Sequence, residues 1–348
     1  MNGAILGIET SCDETAVAVL GECGSVLSHE ILSQKDHSFF GGVVPEIAAR
    51  AHSDFLHVLV SKAMDNADLK FSDLAAIAVT AGPGLVGSLI VGIMLTKAIA
   101  YVTRKPIIAV NHLEAHALVA RMIRDDIEFP FLVLIISGGH CQFLVAQGVG
   151  RYIRLGESID DSLGETFDKI ARMLGLEYPG GPEVECWALK GHADRFSFPR
   201  ALKNRPGCDF SFSGLKTAVR NTIVAIAKEK ENLNEQVVHD ICASFQQCIS
   251  EILASRIVNA IAMARAIDDR ISKIVVSGGV AANNFLRSGI LKCASECGID
   301  AVFPPQELCT DNGIMVGWAG LENLRSGSNF ASLELVPRAR WPLGTRLM

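Results

Sequence analysis

The chain is poor in aromatic residues: Phe, Trp and Tyr together make up 6% of its 348 residues. Its cores must therefore be packed mainly with Ala, Val, Ile and Leu. A hydrophobic content of 49% excludes a disordered chain and indicates well-filled globular cores. An uninterrupted membrane-length apolar run is also missing. The richest stretch, Leu85 to Val102, is broken by Gly87, Ser88, Gly92, Thr96 and Lys97, which favours a buried helix over a membrane span. No basic region leads into an apolar run at Met1-Asn2-Gly3-Ala4-Ile5, so no secretory signal is expected. The ten cysteines include no Cys-x-x-Cys pair; the closest, Cys293 and Cys297, stand four apart on a predicted helix. That spacing excludes a zinc ribbon and argues for reduced thiols in the cytosol rather than a disulfide frame.

Excess positive charge is lacking too. The formal net charge is −6, whereas a protein that grips nucleic acid unaided is more often basic. Two segments run against this. Arg195, Arg200, Lys203 and Arg205 cluster in one Pro- and Phe-bearing loop, and Arg338, Arg340 and Arg346 surround Trp341 in the tail. Each serves as a polyanion contact or simply as a solvated loop.

What the chain does contain is a repeat. At 348 residues, two domains or one doubled domain are expected. Ala4 to Thr10 reads as a strand, Ser11 to Thr15 as a turn and Ala16 to Leu20 as a second strand. The same hairpin recurs as Phe131–Ile136, the turn Ser137-Gly138-Gly139-His140, and Cys141–Ala146. Strand 75–80 ends in Ala81-Gly82-Pro83-Gly84 before a helix, and 273–276 ends in Ser277-Gly278-Gly279 before Asn283 and a helix. Strand 106–110 leads into a helix from His112 to about Asp125, and strand 300–303 precedes a helix from Asp311 to Leu324. Alternating strands and helices predict an α/β fold, and the doubling predicts two similar domains facing a central cleft. The expected domains are 1–130 and 131–310. Helix 311–325 is expected at the junction and 326–348 as a C-terminal tail.

His112 and His116 stand four apart in Asn111-His112-Leu113-Glu114-Ala115-His116, about one helical turn, so both imidazoles share a face. They form a metal pair or two surface histidines. Glu114 sits two places after His112 instead of one, rotated about 200° away, and cannot be a zinc protease's base. A third ligand is expected from the second half, where Asp311 stands at a helix start; its alternative role is an N-cap. Two histidines and one carboxylate with open positions suit Fe²⁺ or Zn²⁺. The glycines of 137–139, 277–279 and 180–181 permit turns whose amides cradle phosphate, or are hairpin glycines needing no ligand. Asp168 accepts from a ribose or amide, or pairs with Lys169 or Arg172 on an exposed helix face.

Ten ordered motifs carry a resemblance. They are Gly7-Ile8-Glu9-Thr10-Ser11-Cys12-Asp13-Glu14-Thr15, Gly41 to Glu46, Ala81 to Leu85, His112 to His116, Ser137 to His140, Gly156 to Asp161, Tyr178 to Pro182, Phe212 to Thr217, Ser277 to Val280 and Thr310-Asp311-Asn312. Together, over nearly the whole chain, they resemble the bacterial TsaD proteins, the tRNA threonylcarbamoyladenosine transferases once called glycoprotease-like. The resemblance implies a duplicated fold similar to actin, Hsp70 and the sugar kinases. It also implies transfer of threonylcarbamoyl from threonylcarbamoyl-AMP to N6 of adenosine 37 in tRNAs reading codons that begin with A, without a covalent nucleophile. It implies His112, His116 and Asp311 as ligands of one Fe²⁺ or Zn²⁺, and Ile135, Ile136, Ser137, Gly138, Gly139, Asp168, Gly181, Glu185 and Asn283 at the adenylate. It implies tRNA, a small paralogous partner and an ATPase partner. Three positions depart from the pattern: Ala115 replaces the usual Gly, Cys141 a frequent Thr, and Glu185 the commoner Asp. The alternatives are an actin-like small-molecule kinase, in which the histidine pair has no evident job, a metalloprotease, or a nucleotide-binding scaffold without chemistry.

Overall fold

Strands without alternation, apolar at every position, can be stable only when both faces are covered. β1 (Ala4–Glu9) is such a strand up to its closing Glu9, and it is buried along its whole length. It is followed by β2 (Glu14–Leu20), β3 (Val26–Ser33), α1 (Pro45–Asn66), β4 (Leu74–Gly82), α2 (Val86–Thr103), β5 (Ile107–Asn111) and α3 (His112–Ile123). The computed structural model describes residues 3–34, 37, 40, 42–203, 205–228, 234–327 and 330–346.

The second series is β6 (Phe131–Ile136), β7 (Cys141–Gly148), β8 (Arg151–Glu157), α4 (Leu163–Leu174), α5 (Gly180–Ala188), α6 (Ser213–Lys228) and α7 (Glu235–Ile267). Next come β9 (Lys273–Ser277), α8 (Asn284–Glu296), β10 (Asp300–Val302), α9 (Gln306–Cys309), α10 (Gly313–Arg325) and β11 (Thr345–Arg346). One sheet is ordered β3-β2-β1-β4-β5; the other is β8-β7-β6-β9-β10, with β11 beside β8. Both open with an antiparallel hairpin whose first strand pairs in parallel with a later one, Ile8 opposite Val79 and Ile135 opposite Ser277. The doubled α/β expectation is met in both series. The third strand of each, β3 and β8, is not among the strands predicted from the sequence. β3 is largely exposed and carries Ser28, His29 and Glu30, and β8 carries Arg151 and Arg154, so neither displays an apolar run.

The chain divides into two compact units. The first contains Met1–Glu128, Gly148–Arg151 and Thr310–Thr345; the second contains Phe129–Gln147, Tyr152–Cys309 and Arg346–Met348. Helix α10 therefore belongs to the first unit although it follows the last strand of the second series. It packs on β1, β2 and β4. Small residues allow this: a Cβ on Gly7 would overlap the backbone of Gly313 and Gly317, and one on Gly320 would stand 2.5 Å from Ala78 Cβ. The tail as far as Thr345 belongs to the same unit. Ala331, Leu335 and Trp341 pack against its core, and Arg338 N donates to Ala81 O at 2.8 Å.

Aromatics are spent unevenly. Leu6, Ile8, Val17, Val19, Leu56, Val60, Ile77 and Ile93 build an aliphatic core in the first unit, as the composition implies. The second unit's core holds Phe143, Phe167, Phe210, Phe212 and Phe245, with Phe143 stacked on Phe210 at 5.3 Å between ring centres.

Helix α2 differs from the buried helix expected of its sequence. Its length and composition would suit a membrane span, yet it packs on α1 and β4 with only 33% of its residues buried. Ser88, Leu89, Gly92, Ile93, Thr96 and Ala100 face inward, while Val86, Ile90, Met94, Tyr101 and Val102 are exposed. It is a half-buried helix with an apolar outer face.

Candidate metal centre and phosphate-binding turns

Three neighbouring parallel strands, β1, β4 and β5, end side by side in the first unit, and the polar residues at those ends build the centre. Asn111 closes β5 and caps α3, its Oδ1 accepting from Leu113 N at 2.9 Å and Glu114 N at 3.4 Å. The cap fixes where the helix starts, so His112 and His116 project one turn apart on the same face. Their rings meet edge to face, centres 4.8 Å apart. Asp311 Oδ1 lies 3.4 Å from His112 Nε2 and 3.1 Å from His116 Nε2. Ligand atoms of these three residues all fall within 4.8 Å of one another, a cluster able to hold a metal ion.

The expectation that Asp311 would reach in from the second half is corrected: Thr310 onward belongs to the first unit, so one body carries all three residues. The N-cap alternative for Asp311 also fails. Asn312 caps α10, its side chain accepting from Met315 N at 2.8 Å, which leaves Asp311 for the histidines.

Burial opposes charge on Asp311, but His112 and His116 outweigh it and hold the carboxyl far below the ordinary carboxylate range. For His112 burial disfavours the imidazolium, and the carboxylates of Asp311 and Glu9 more than reverse this, raising it well above its usual value. Two imidazoles and one carboxylate are a ligand set that suits a divalent transition ion acting as a Lewis acid. Glu114 is outside the cluster. Its Oε1 accepts from Gly150 N at 2.6 Å, so Glu114 is not the base of a metalloprotease at these ligands.

Glu9 has no role that the sequence alone assigns. Its carboxylate is fully buried and bonded to Ser11 N at 2.6 Å, Thr80 Oγ1 at 2.6 Å and His112 Nδ1 at 3.1 Å. The signal that marks it is an acid closing an otherwise apolar strand.

The remaining expected site residues lie in the second unit. Ile135 and Ile136 end β6 with wholly buried side chains, so only their backbone can face a ligand. Ser137, Gly138 and Gly139 form the turn, closed by Ser137 N donating to His140 O at 2.7 Å. It rests on the start of α4: Gly164 N donates to Ser137 O at 3.1 Å, and Ser162 Oγ donates to Gly138 O. The Ser277-Gly278-Gly279 turn lies alongside, because a Cβ on Gly278 would come within 2.5 Å of Ile136 O and its φ is +98°. Asp168 Oδ1 accepts from Gly180 N at 2.8 Å, which ties α4 to the start of α5 where Gly181 lies. Glu185 Oε1 accepts from Asn284 N at 2.7 Å, so the longer arm is used at the start of α8. Asn283 caps α8 through Leu286 N and donates to Gln246 Oε1, both at 2.9 Å.

The basic loop is less available than its composition suggests. Arg195 pairs with Asp240, and Arg200 and Lys203 both pair with Glu251. In the tail, Arg346 pairs with Asp209 and Arg338 lies over Trp341.

The family model and the curated relatives agree on one family. The model of TsaD, tRNA N6-adenosine threonylcarbamoyltransferase, matches residues 25–318. The tRNA N6-adenosine threonylcarbamoyltransferase of Anaplasma marginale (strain St. Maries) is 79% identical over 98% of each chain. That of Ehrlichia chaffeensis (strain ATCC CRL-10679 / Arkansas) is 60% identical over 97% of this chain and 95% of its own. Among solved structures, T. kodakarensis HypF superposes with a TM-score of 0.59 at 16% identity, covering 94% of this chain and 49% of that one. Component A of Acidaminococcus fermentans (R)-2-hydroxyglutaryl-CoA dehydratase gives 0.54 at 14% identity, covering 93% and 100%. These two likenesses establish the fold, the duplicated one of actin, Hsp70 and the sugar kinases. The chain belongs to the TsaD family, the transferases that move a threonylcarbamoyl group from threonylcarbamoyl-AMP to N6 of adenosine 37 in tRNAs reading ANN codons and release AMP.

Proposed function

We propose that His112, His116 and Asp311 hold one divalent cation per chain, Fe²⁺ or Zn²⁺, during this transfer. We propose also that Ile135, Ile136, Ser137, Gly138, Gly139, Asp168, Gly181, Glu185 and Asn283 seat the adenylate. The convergence of three ligand atoms within 4.8 Å on one unit carries the metal assignment. Supporting the adenylate assignment, two Gly-rich turns sit side by side at the ends of adjacent parallel strands, where α/β folds bind phosphates.

The substrate is a mixed carboxylic–phosphoric anhydride and needs no covalent activation. The N6 amine attacks the carbamoyl carbon, the new N–C bond forms, and the C–O bond to phosphate breaks. AMP leaves with the bonding electrons while N6 loses a proton. Backbone amides of the turns stabilise the charge on the departing phosphate, and positioning supplies much of the rate. The bound ion would supply Lewis-acid polarisation of oxygen ligands. Burial raises the thiols of Cys12 and Cys141 well above their ordinary range, so neither is a ready nucleophile.

The reading includes a cytoplasmic location, tRNA as acceptor, and both the small paralogous partner and the ATPase partner. The outer face of α2, with exposed Phe55 and Val58 of the adjoining α1, suits an apolar partner helix pair and supports the paralogous partner. The test is reconstitution with threonine, bicarbonate, ATP, the adenylate-forming enzyme and unmodified tRNA, reading the nucleoside by mass alongside metal analysis. His112→Ala and His116→Ala should lose both metal and product; full product from metal-free protein overturns the metal assignment.

A further inference from the structure

We infer that Glu9 is a positioning residue for the metal centre: it fixes the tautomer of His112 so that Nε2, not Nδ1, presents its lone pair to the cation. The inference rests on the metal assignment above and concerns a residue that is not itself a ligand.

The geometry leaves little choice. Glu9 ends β1 with no solvent exposure, and a carboxylate can stay ionised there only if donors fill its oxygens. They do. Oε1 accepts from Ser11 N at 2.6 Å, and Oε2 accepts from Thr80 Oγ1 at 2.6 Å and faces His112 Nδ1 at 3.1 Å. Ionised, Glu9 is an acceptor only, so the hydrogen between it and His112 must be carried by Nδ1. Ser11 Oγ, 3.2 Å from the same nitrogen, can accept as well. When the ring gives up its other proton to bind a cation, the lone pair is on Nε2, the nitrogen 3.4 Å from Asp311 Oδ1. A carboxylate behind a ligating histidine sets ring orientation and raises ligand basicity, and losing such a partner costs about 10- to 100-fold in metal affinity.

Glutamine at this position makes the idea testable, because it keeps the size and reverses one end. If its oxygen stays on Ser11 N, its NH₂ faces Nδ1, which must then accept, and the ring hydrogen moves to Nε2. If the amide flips, Ser11 N faces a donor and is left unpaired. Aspartate shortens the arm by one methylene and withdraws the carboxylate from Nδ1. The experiment uses the full chain as wild type, Glu9→Gln and Glu9→Asp. Zn²⁺ affinity is read by competition with a chromophoric chelator, thermal unfolding confirms the fold, and ¹⁵N NMR of histidine-labelled protein reports the tautomer.

The expected result is zinc binding weakened about 10- to 100-fold in both variants, with the Nδ1–H signature of His112 lost in Glu9→Gln. If one variant does not fold, the other decides. Affinity within threefold of wild type, or weakened affinity with the Nδ1–H tautomer retained, overturns the inference. Wild-type protein that binds neither Zn²⁺ nor Fe²⁺ refutes the metal assignment itself, a different outcome.

Discussion

Gly138 and Gly139 separate a phosphate cradle from an ordinary hairpin more sharply than any other residues. A Cβ added at either meets nothing within 4 Å, and neither is among the glycines with positive φ. Gly138→Ala and Gly139→Ala should therefore leave stability within about 0.5 kcal/mol of wild type, the range of surface substitutions. Gly278→Ala is the contrast. Its φ of +98° is strained for any other residue, and its Cβ would stand 2.5 Å from the Ile136 carbonyl oxygen. Strain of about 1–3 kcal/mol and overpacking of about 1–3 kcal/mol give roughly 4 kcal/mol. At about 2–4 °C per kcal/mol for a unit of this size, the melting temperature should fall by about 8–16 °C. Thermal melts measure this side. Titration with AMP or a non-hydrolysable adenylate measures the other: if backbone amides of 137–139 hug the phosphate, methyl groups there should weaken binding at least about tenfold, about 1.4 kcal/mol, at unchanged stability. Unchanged affinity in both turn variants would refute the cradle and leave two hairpin glycines.

Further outcomes follow from the same contacts. Asp311→Asn removes the carboxylate shared by His112 and His116, so bound Zn²⁺ per chain should drop well below one on elemental analysis while the far-UV spectrum is retained. Arg200 holds Glu251 down to about 2 from its ordinary 4.5, so this clamp contributes stability that is present above about 4.5 and lost as pH falls toward 2. Because both partners are partly exposed, the effect is small, and Glu251→Gln should flatten that acid limb in denaturant melts across pH. Arg256, 1% exposed, donates to the carbonyls of Lys203, Arg205 and Gly207. Arg256→Met strands those acceptors, costing about 1–3 kcal/mol, and should make the chain around 203–207 the first site cut in limited proteolysis.

Much of the fold and of the centre is legible in the order of the residues. The strands of both hairpins lie where their apolar runs place them, and the histidines share a helix face because four residues make about one turn. The third strands β3 and β8 are not legible in this way, because both carry polar residues that mask any periodicity. Asp311 can be matched to a family pattern, but its freedom from capping depends on which of two adjacent residues turns inward, and Asn312 takes the cap. The basic loop misleads in the opposite direction. Asp240 and Glu251, more than forty positions along the chain, neutralise half of its charge.

Alone, the sequence determined the doubled strand order, the aliphatic character of the first core and the spacing of the imidazoles, since all three arise from neighbours along the chain. Tertiary structure alone decided that α10 crosses to the first sheet, bringing Asp311 to the histidines, and that Glu9 stands behind His112. Those meetings join residues about 100 to 200 positions apart. They depend on which strand ends lie side by side, a property of sheet order that no local periodicity encodes.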